Sequence, residues 1–256
     1  MRTRLLLLSL IILIHVLAHA APPAGYTLVF SDEFKEPLSC SNWGPGTKWI
    51  ANTPYNGNFG VAAFGYWPNR LYTNNGVLVM MDYFDTSKNR WLGCLLSSMD
   101  TKANGFAQAL GYWECAIRWH GELDTWPGFW LASANGILPH ANNTAEIDIL
   151  EAYGSQPSVA HQVLHVWNGS GGQVYASGHV QSWNLTNFTH VYGCLVNKDF
   201  IHYYIDGYEI WTVPTPPEAT LPLYCMIDFA MYSTSGAISP SFMYVDYVRC
   251  YAPPNL

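Results

Sequence analysis

Apolar and polar positions alternate in short runs along most of the chain, and Gly, Pro, Asn and Ser separate the runs. A period of two predicts strands over residues 26–30, 76–83, 112–120, 129–133, 146–152, 161–167, 191–196, 200–205, 208–213, 223–231 and 242–251. Asp206-Gly207, between two of these runs, is a two-residue type I′ hairpin signal. No segment beyond residue 20 shows a helical apolar stripe. Many short strands with Gly- and Pro-rich turns predict an all-β jelly-roll sandwich of two antiparallel sheets. Residues 40–75, rich in Gly, Asn, Pro and Tyr and poor in alternation, predict long loops along a functional face.

The first 20 residues break the pattern. Arg2 and Arg4 precede an apolar run from Leu5 to Leu17, and Ala18-His19-Ala20 supplies small residues for cleavage. This reads as a secretory signal, too short for the roughly 20 residues that span a bilayer. The expected product starts near Ala21. It is secreted outside the cell, or into a bacterial periplasm, and has no membrane attachment after signal removal. Residues 21–256 suit one domain, expected as a monomer.

Composition narrows the partner. Eleven Lys and Arg against 18 Asp and Glu give −7 over 256 residues, and removing the two leader arginines gives −9. Nucleic acid is therefore excluded as a natural partner, since phosphate neutralisation needs clustered cations. Aromatic residues make up 15% of the chain and charged ones 11%, which suits a neutral, hydroxyl-rich ligand that stacks on rings. Six cysteines, Cys40, Cys94, Cys115, Cys194, Cys225 and Cys250, allow up to three disulfides in an oxidising compartment. Those inside apolar runs also read as small buried residues.

The densest chemistry lies in Glu146-Ile147-Asp148-Ile149-Leu150-Glu151. In a regular strand Glu146 and Asp148 share a face and Glu151 falls on the other. A β-bulge in which Ile149 and Leu150 occupy one strand step returns Glu151 to the acids' face, and this bulge is predicted. Glu146 and Glu151 then stand about 13 Å apart at Cα and roughly 6 Å apart at their inward-leaning carboxyls. Spacing of about 5 to 5.5 Å marks a retaining glycosidase and 6.5 to 9.5 Å an inverting one, so the geometry leans to retention. Crowded carboxylates repel, and at least one should hold its proton to higher pH. The bland alternative is a solvated acidic sheet face that binds a cation.

Neighbouring runs fit a sugar cleft. Trp126, Gly128 and Trp130 share one face of their run, and His161, Val163, His165 and Trp167 share one face of theirs. Core packing is the alternative for each Trp. The His161–His165 spacing resembles half of a zinc motif, but Gln162 stands where that motif needs Glu. A Gly-x-Ser-x-Gly elbow and a phosphate-cradling Gly-rich loop with Lys are both missing.

Ordered, dispersed segments resemble glycoside hydrolase family 16, the laminarinase, lichenase and agarase group. They are Val29-Phe30-Ser31-Asp32-Glu33-Phe34, Gly111-Tyr112-Trp113-Glu114, Trp126-Pro127-Gly128-Phe129-Trp130-Leu131, the acidic hexad, Tyr203-Tyr204-Ile205-Asp206-Gly207 and Val245-Asp246-Tyr247-Val248-Arg249-Cys250-Tyr251. The resemblance implies a jelly roll with a concave groove and retaining hydrolysis of a β-linked polysaccharide, without a catalytic cofactor. It implies Glu146 as nucleophile, Asp148 as assisting acid and Glu151 as general acid/base, with Trp126, Trp130 and His165 along the groove. It also implies a structural Ca²⁺ between the first and last strands, held by Glu33, the Gly76 carbonyl and Asp246. The hexad spacing is similar to the laminarinase branch. Residues 66–73 lack the Glu and Gln common in laminarinases, so β-1,3-glucan and mixed-linkage β-1,3-1,4-glucan both stay open. So do a glucan transglycosylase and a non-catalytic glucan-binding lectin on the same fold.

Overall fold

Alternating sequence becomes strand wherever one face can be buried, and the computed structural model shows this over residues 22–55, 57–137 and 142–254. The expected leader and its cleavage site lie outside these described residues. In chain order the strands are β1 (Thr27–Asp32), β2 (Cys40–Ser41), β3 (Trp49–Ile50), β4 (Ala62–Ala63), β5 (Leu71–Asn74), β6 (Val77–Asp85), β7 (Arg90–Leu92), β8 (Cys94–Ser97) and β9 (Gly111–Trp119). They continue with β10 (Thr125–Ser133), β11 (Thr144–Ala152), β12 (Val159–Trp167), β13 (Gln173–Ser182), β14 (His190–Val196), β15 (Phe200–Ile205), β16 (Tyr208–Pro214), β17 (Leu223–Met231) and β18 (Ser241–Ala252). Two short 3₁₀ turns, Ala134–Gly136 and Pro217–Thr220, are the helical elements among the described residues.

Two sheets stack as predicted. One runs β16-β15-β14-β9-β18-β6-β7-β4, with β1 beside β18 and β5 beside β6; the other runs β13-β12-β11-β10-β17-β8-β3-β2. Pairing is antiparallel except for the short pairs β2–β3 and β4–β7. The β15–β16 hairpin turns on Asp206 (φ 52°) and Gly207 (φ 81°), both left-handed as a type I′ turn requires.

The inward faces meet in one core. Ile147, Ile149 and Leu150 of β11 join Leu78, Met80, Trp113, Ile117 and Trp119 from the opposite sheet, all at most 1% exposed. Each such aliphatic side chain contributes roughly 1.5–3 kcal/mol by leaving water. A second apolar cluster covers the outer face of the eight-stranded sheet, where Phe64 and Phe59 pack on Trp130, Met226 and Trp126. Thus the 40–75 segment, though it contains four short strands, wraps the face expected to be functional.

Two expectations are corrected here. All six cysteines are free and buried, and all belong to the main core. They pack there as small apolar groups; burial pushes the Cys225 thiol up to about 12, which keeps it protonated and inert. The two carboxylates expected to hold Ca²⁺ are engaged elsewhere. Both Glu33 oxygens are taken by Arg249, at 2.8 Å from Nε and 2.9 Å from Nη2, so a cation already occupies that carboxylate. Asp246 bonds instead with Thr189 and feels Arg118. These residues do not fit the hard, oxygen-rich shell that Ca²⁺ needs.

Candidate active site

The bulge forms where predicted. Asp148 pairs with Val163 and Glu151 with His161 on β12, so Ile149 and Leu150 together oppose Gln162. On the other side Asp148 faces Trp130 and Glu151 faces Gly128. Ile149 and Leu150 are buried at 1% and 0%, while the three acids line the opposite, open side. Gln162 points inward and offers its amide to the Ile149 carbonyl at 3.5 Å, a long contact that partly serves the backbone group freed by the bulge.

Cross-strand register makes the floor of the cleft a grid. One row reads His165–Glu146–Ala132–Tyr224, the next Val163–Asp148–Trp130–Met226, and the third His161–Glu151–Gly128–Asp228. Above them lies a cleft of about 410 Å³, lined by the three acids and by Trp126, Trp130 and His165 among others. All six residues expected at the site therefore meet in one place.

Each acid has a distinct setting. Oxygens of Glu146 and Asp148 and a ring nitrogen of His165 lie within 4.8 Å of one another. Burial, then the Glu151 charge, pushes the Glu146 carboxyl up to about 7. The Trp167 indole N–H faces Glu146 and pulls the other way, without reaching hydrogen-bond geometry. Asp148 is held well above the usual carboxylate range by burial and by the charges of Glu146, Glu151 and Asp228. Two half-buried carboxylates this close cannot both ionise cheaply, so the pair carries one proton near neutrality. His165 completes this corner, with Nδ1 3.0 Å from Gln173 Oε1 and Nε2 3.6 Å from Asp148 Oδ2.

Glu151 is placed differently. The Tyr153 hydroxyl donates to its Oε1 at 2.6 Å, and the Tyr153 ring stacks on Trp126 at 5.6 Å between centroids. Tyr153 stands two residues past Glu151, on the same face, so parity alone could have marked it. Asp228 was also missed. It is the one charged residue in the nine of β17, and its Oδ1 accepts from Trp130 Nε1 at 2.8 Å. Burial raises the Asp228 carboxyl to about 8, against the Trp130 bond and with the Glu151 charge. Tyr55 and Phe59 add aromatic walls from the 40–75 segment.

The row through Gly128 makes a testable demand. A Cβ there would lie 2.5 Å from Asp228 Oδ1, inside contact distance. Gly128→Ala is expected to destabilise the fold by about 1–3 kcal/mol through overpacking and to lower activity by more than tenfold. Unchanged melting and turnover would show that Asp228 does not rest on this glycine.

The description "Glycosyl hydrolases family 16" matches residues 68–235. The chain belongs to this family. Among curated family-like proteins it is 29% identical over 161 residues to the endo-1,3-1,4-beta-glycanase EglC of Rhizobium meliloti (strain 1021), covering 61% of this chain and 33% of that one. The chain spans about a third of the length of the curated relatives it matches. Two solved structures share the fold. The catalytic domain of an endo-1,3-beta-glucanase (laminarinase) from Thermotoga petrophila RKU-1 has a TM-score of 0.73 at 17% identity, covering 90% of this chain and 99% of that one. SCLam, a non-specific endo-beta-1,3(4)-glucanase, also has 0.73, at 22% identity and with 91% and 93% coverage. Family 16 thus accounts for the jelly roll.

Proposed function

We propose that the protein is a retaining endo-β-glycosidase that hydrolyses β-1,3- or mixed-linkage β-1,3-1,4-glucan. The observation that carries this is the bulged β11, which aims Glu146, Asp148 and Glu151 into one aromatic-walled cleft. In the first step Glu146 attacks the anomeric carbon while Glu151 gives its proton to the departing glycosidic oxygen. A glycosyl ester forms on Glu146 and the reducing-side chain leaves. Glu151, now a carboxylate, takes a proton from water, and that oxygen displaces Glu146 from the same face from which the first sugar left. Asp148 carries the shared proton, which leaves Glu146 ionised for attack and limits charge in the buried corner.

Endo action has physical support. A second cavity of about 310 Å³ adjoins the first and shares Tyr55, Glu146 and Trp167 with it. A polymer can therefore extend past the acids on both sides. Apart from the acids and His165, the residues lining the two cavities are uncharged, which favours a neutral chain bound by stacking and hydroxyl contacts.

The test is a panel of β-1,3-glucan, mixed-linkage glucan, xyloglucan and agarose, scored for product linkage and anomeric form. Internal cleavage of the first or second with retained configuration is expected. Binding without release of reducing ends would replace the enzyme with a lectin, and products longer than the substrate would mark a transglycosylase. The charged-apolar-small leader supports export; intact-mass measurement of the exported chain is expected to place its start near Ala21.

A further inference from the structure

We propose that Asp228 is a fourth working carboxyl of the cleft: Oδ1 fixes the Trp130 indole, and Oδ2 contacts a hydroxyl of the sugar bound beside Glu151. This rests on the glucan-hydrolase reading and extends it to a residue outside the acidic hexad.

Position is the first argument. Glu151, Gly128 and Asp228 are successive cross-strand partners on β11, β10 and β17. Strands lie about 4.8 Å apart, so the two acids stand roughly 10 Å apart at Cα with only a hydrogen between them. The Asp228 carboxyl leans into that opening, because an ideal Gly128 Cβ would lie 2.5 Å from Oδ1 and 3.3 Å from Oδ2. Both acids line the same cleft.

Unmet bonding is the second. Asp228 is 2% exposed, and among the described residues its buried Oδ2 has no hydrogen-bond partner. Among the described residues no cation acts on its carboxyl. The titratable groups around it are Glu151 and Asp148 of β11, Asp82 of β6 across the sandwich, and Tyr55 over the cleft. A lone buried oxygen among acids is costly unless it carries a proton or meets a ligand. Burial favours the protonated form around neutrality. Oδ1 then accepts from Trp130, and Oδ2–H is a donor suited to a sugar oxygen. A neutral carboxyl has the shape of an amide, so asparagine can reproduce both contacts.

The experiment measures kcat and KM on soluble β-glucan oligosaccharides for Asp228→Asn, Asp228→Ala, Trp130→Phe and the Asp228→Ala/Trp130→Phe pair, with melting curves. Asp228→Ala is expected to lose 30-fold or more in kcat/KM, while Asp228→Asn recovers most of this and stays within about fivefold of the parent. Trp130→Phe removes the indole donor but leaves Oδ2, so Asp228→Ala should still cost tenfold or more in that background. Three results overturn the assignment: a wild-type kcat/KM in Asp228→Ala, a loss that vanishes beside Trp130→Phe, or a loss above tenfold in Asp228→Asn. If Asp228→Ala does not fold, the Asp228→Asn limit still decides. A parent protein inactive on every glucan would overturn the hydrolase reading and this assignment together, whereas an active parent with the wrong variant pattern would overturn only the latter.

Discussion

Glu146→Gln is expected to fold, bind glucan oligosaccharides and lose roughly four orders of magnitude in kcat, because the amide cannot form the glycosyl ester on which both steps depend. Binding should persist, since the stacking walls and the other acids are untouched. The same variant should also change the pH dependence of stability. Burial and the Glu151 charge raise the Glu146 carboxyl to about 7, so the folded chain keeps a proton that the unfolded chain has released. Protons bound then favour the native state, and stability present below about pH 4.5 is lost as pH rises through 7. Glu146→Gln lacks this loss and should melt a few degrees higher than the parent at pH 8, with the gap closing near pH 4.5. Calorimetry at both pH values, together with turnover on the preferred glucan, checks the pair of expectations. Full hydrolysis by the variant would remove Glu146 as nucleophile.

Glu151→Ala should separate the two halves of the reaction. On polysaccharide, whose leaving alcohol needs a proton, kcat is expected to fall about 10²–10⁴-fold, the usual worth of a positioned general acid. On an aryl β-glucoside oligomer with a good leaving group, the first step needs little protonation and should survive. The second step lacks its base, so a burst of phenol should be followed by slow turnover, with a glycosylated protein visible by mass spectrometry. Equal losses on both substrates would mean that Glu151 only shapes the cleft. The Tyr153 hydroxyl donates to Glu151 Oε1 at 2.6 Å, which leaves Oε2 as the oxygen available to the leaving group.

The bulge was legible because three acids among three large apolar residues have one solution that keeps every side chain in its preferred medium. The type I′ turn at Asp206-Gly207 was legible for a similar local reason. β13 was not, since Gln173–Ser182 has no buried position and so no apolar alternation. β8 was missed because Cys94–Ser97 is buried on both faces and only four residues long. Other features need partners far along the chain. Trp130 finds Asp228 98 residues away, and Arg249 reaches Glu33 across 216, closing the site that the family likeness suggested for Ca²⁺. The cysteines show the limit of reasoning from compartment: oxidation potential says what can pair, while packing decided that all six fill the core.

Ile149 and Leu150 sit side by side against Gln162, and this has a consequence for how such a site can change over generations. Loss of one link in an ordinary ribbon inverts everything downstream, turning wet groups dry. At this doubled step, dropping one link leaves plain alternation, with Glu151 still across from Gly128 and His161. The reactive stretch can therefore drift between five and six residues without passing through a form whose proton donor is buried.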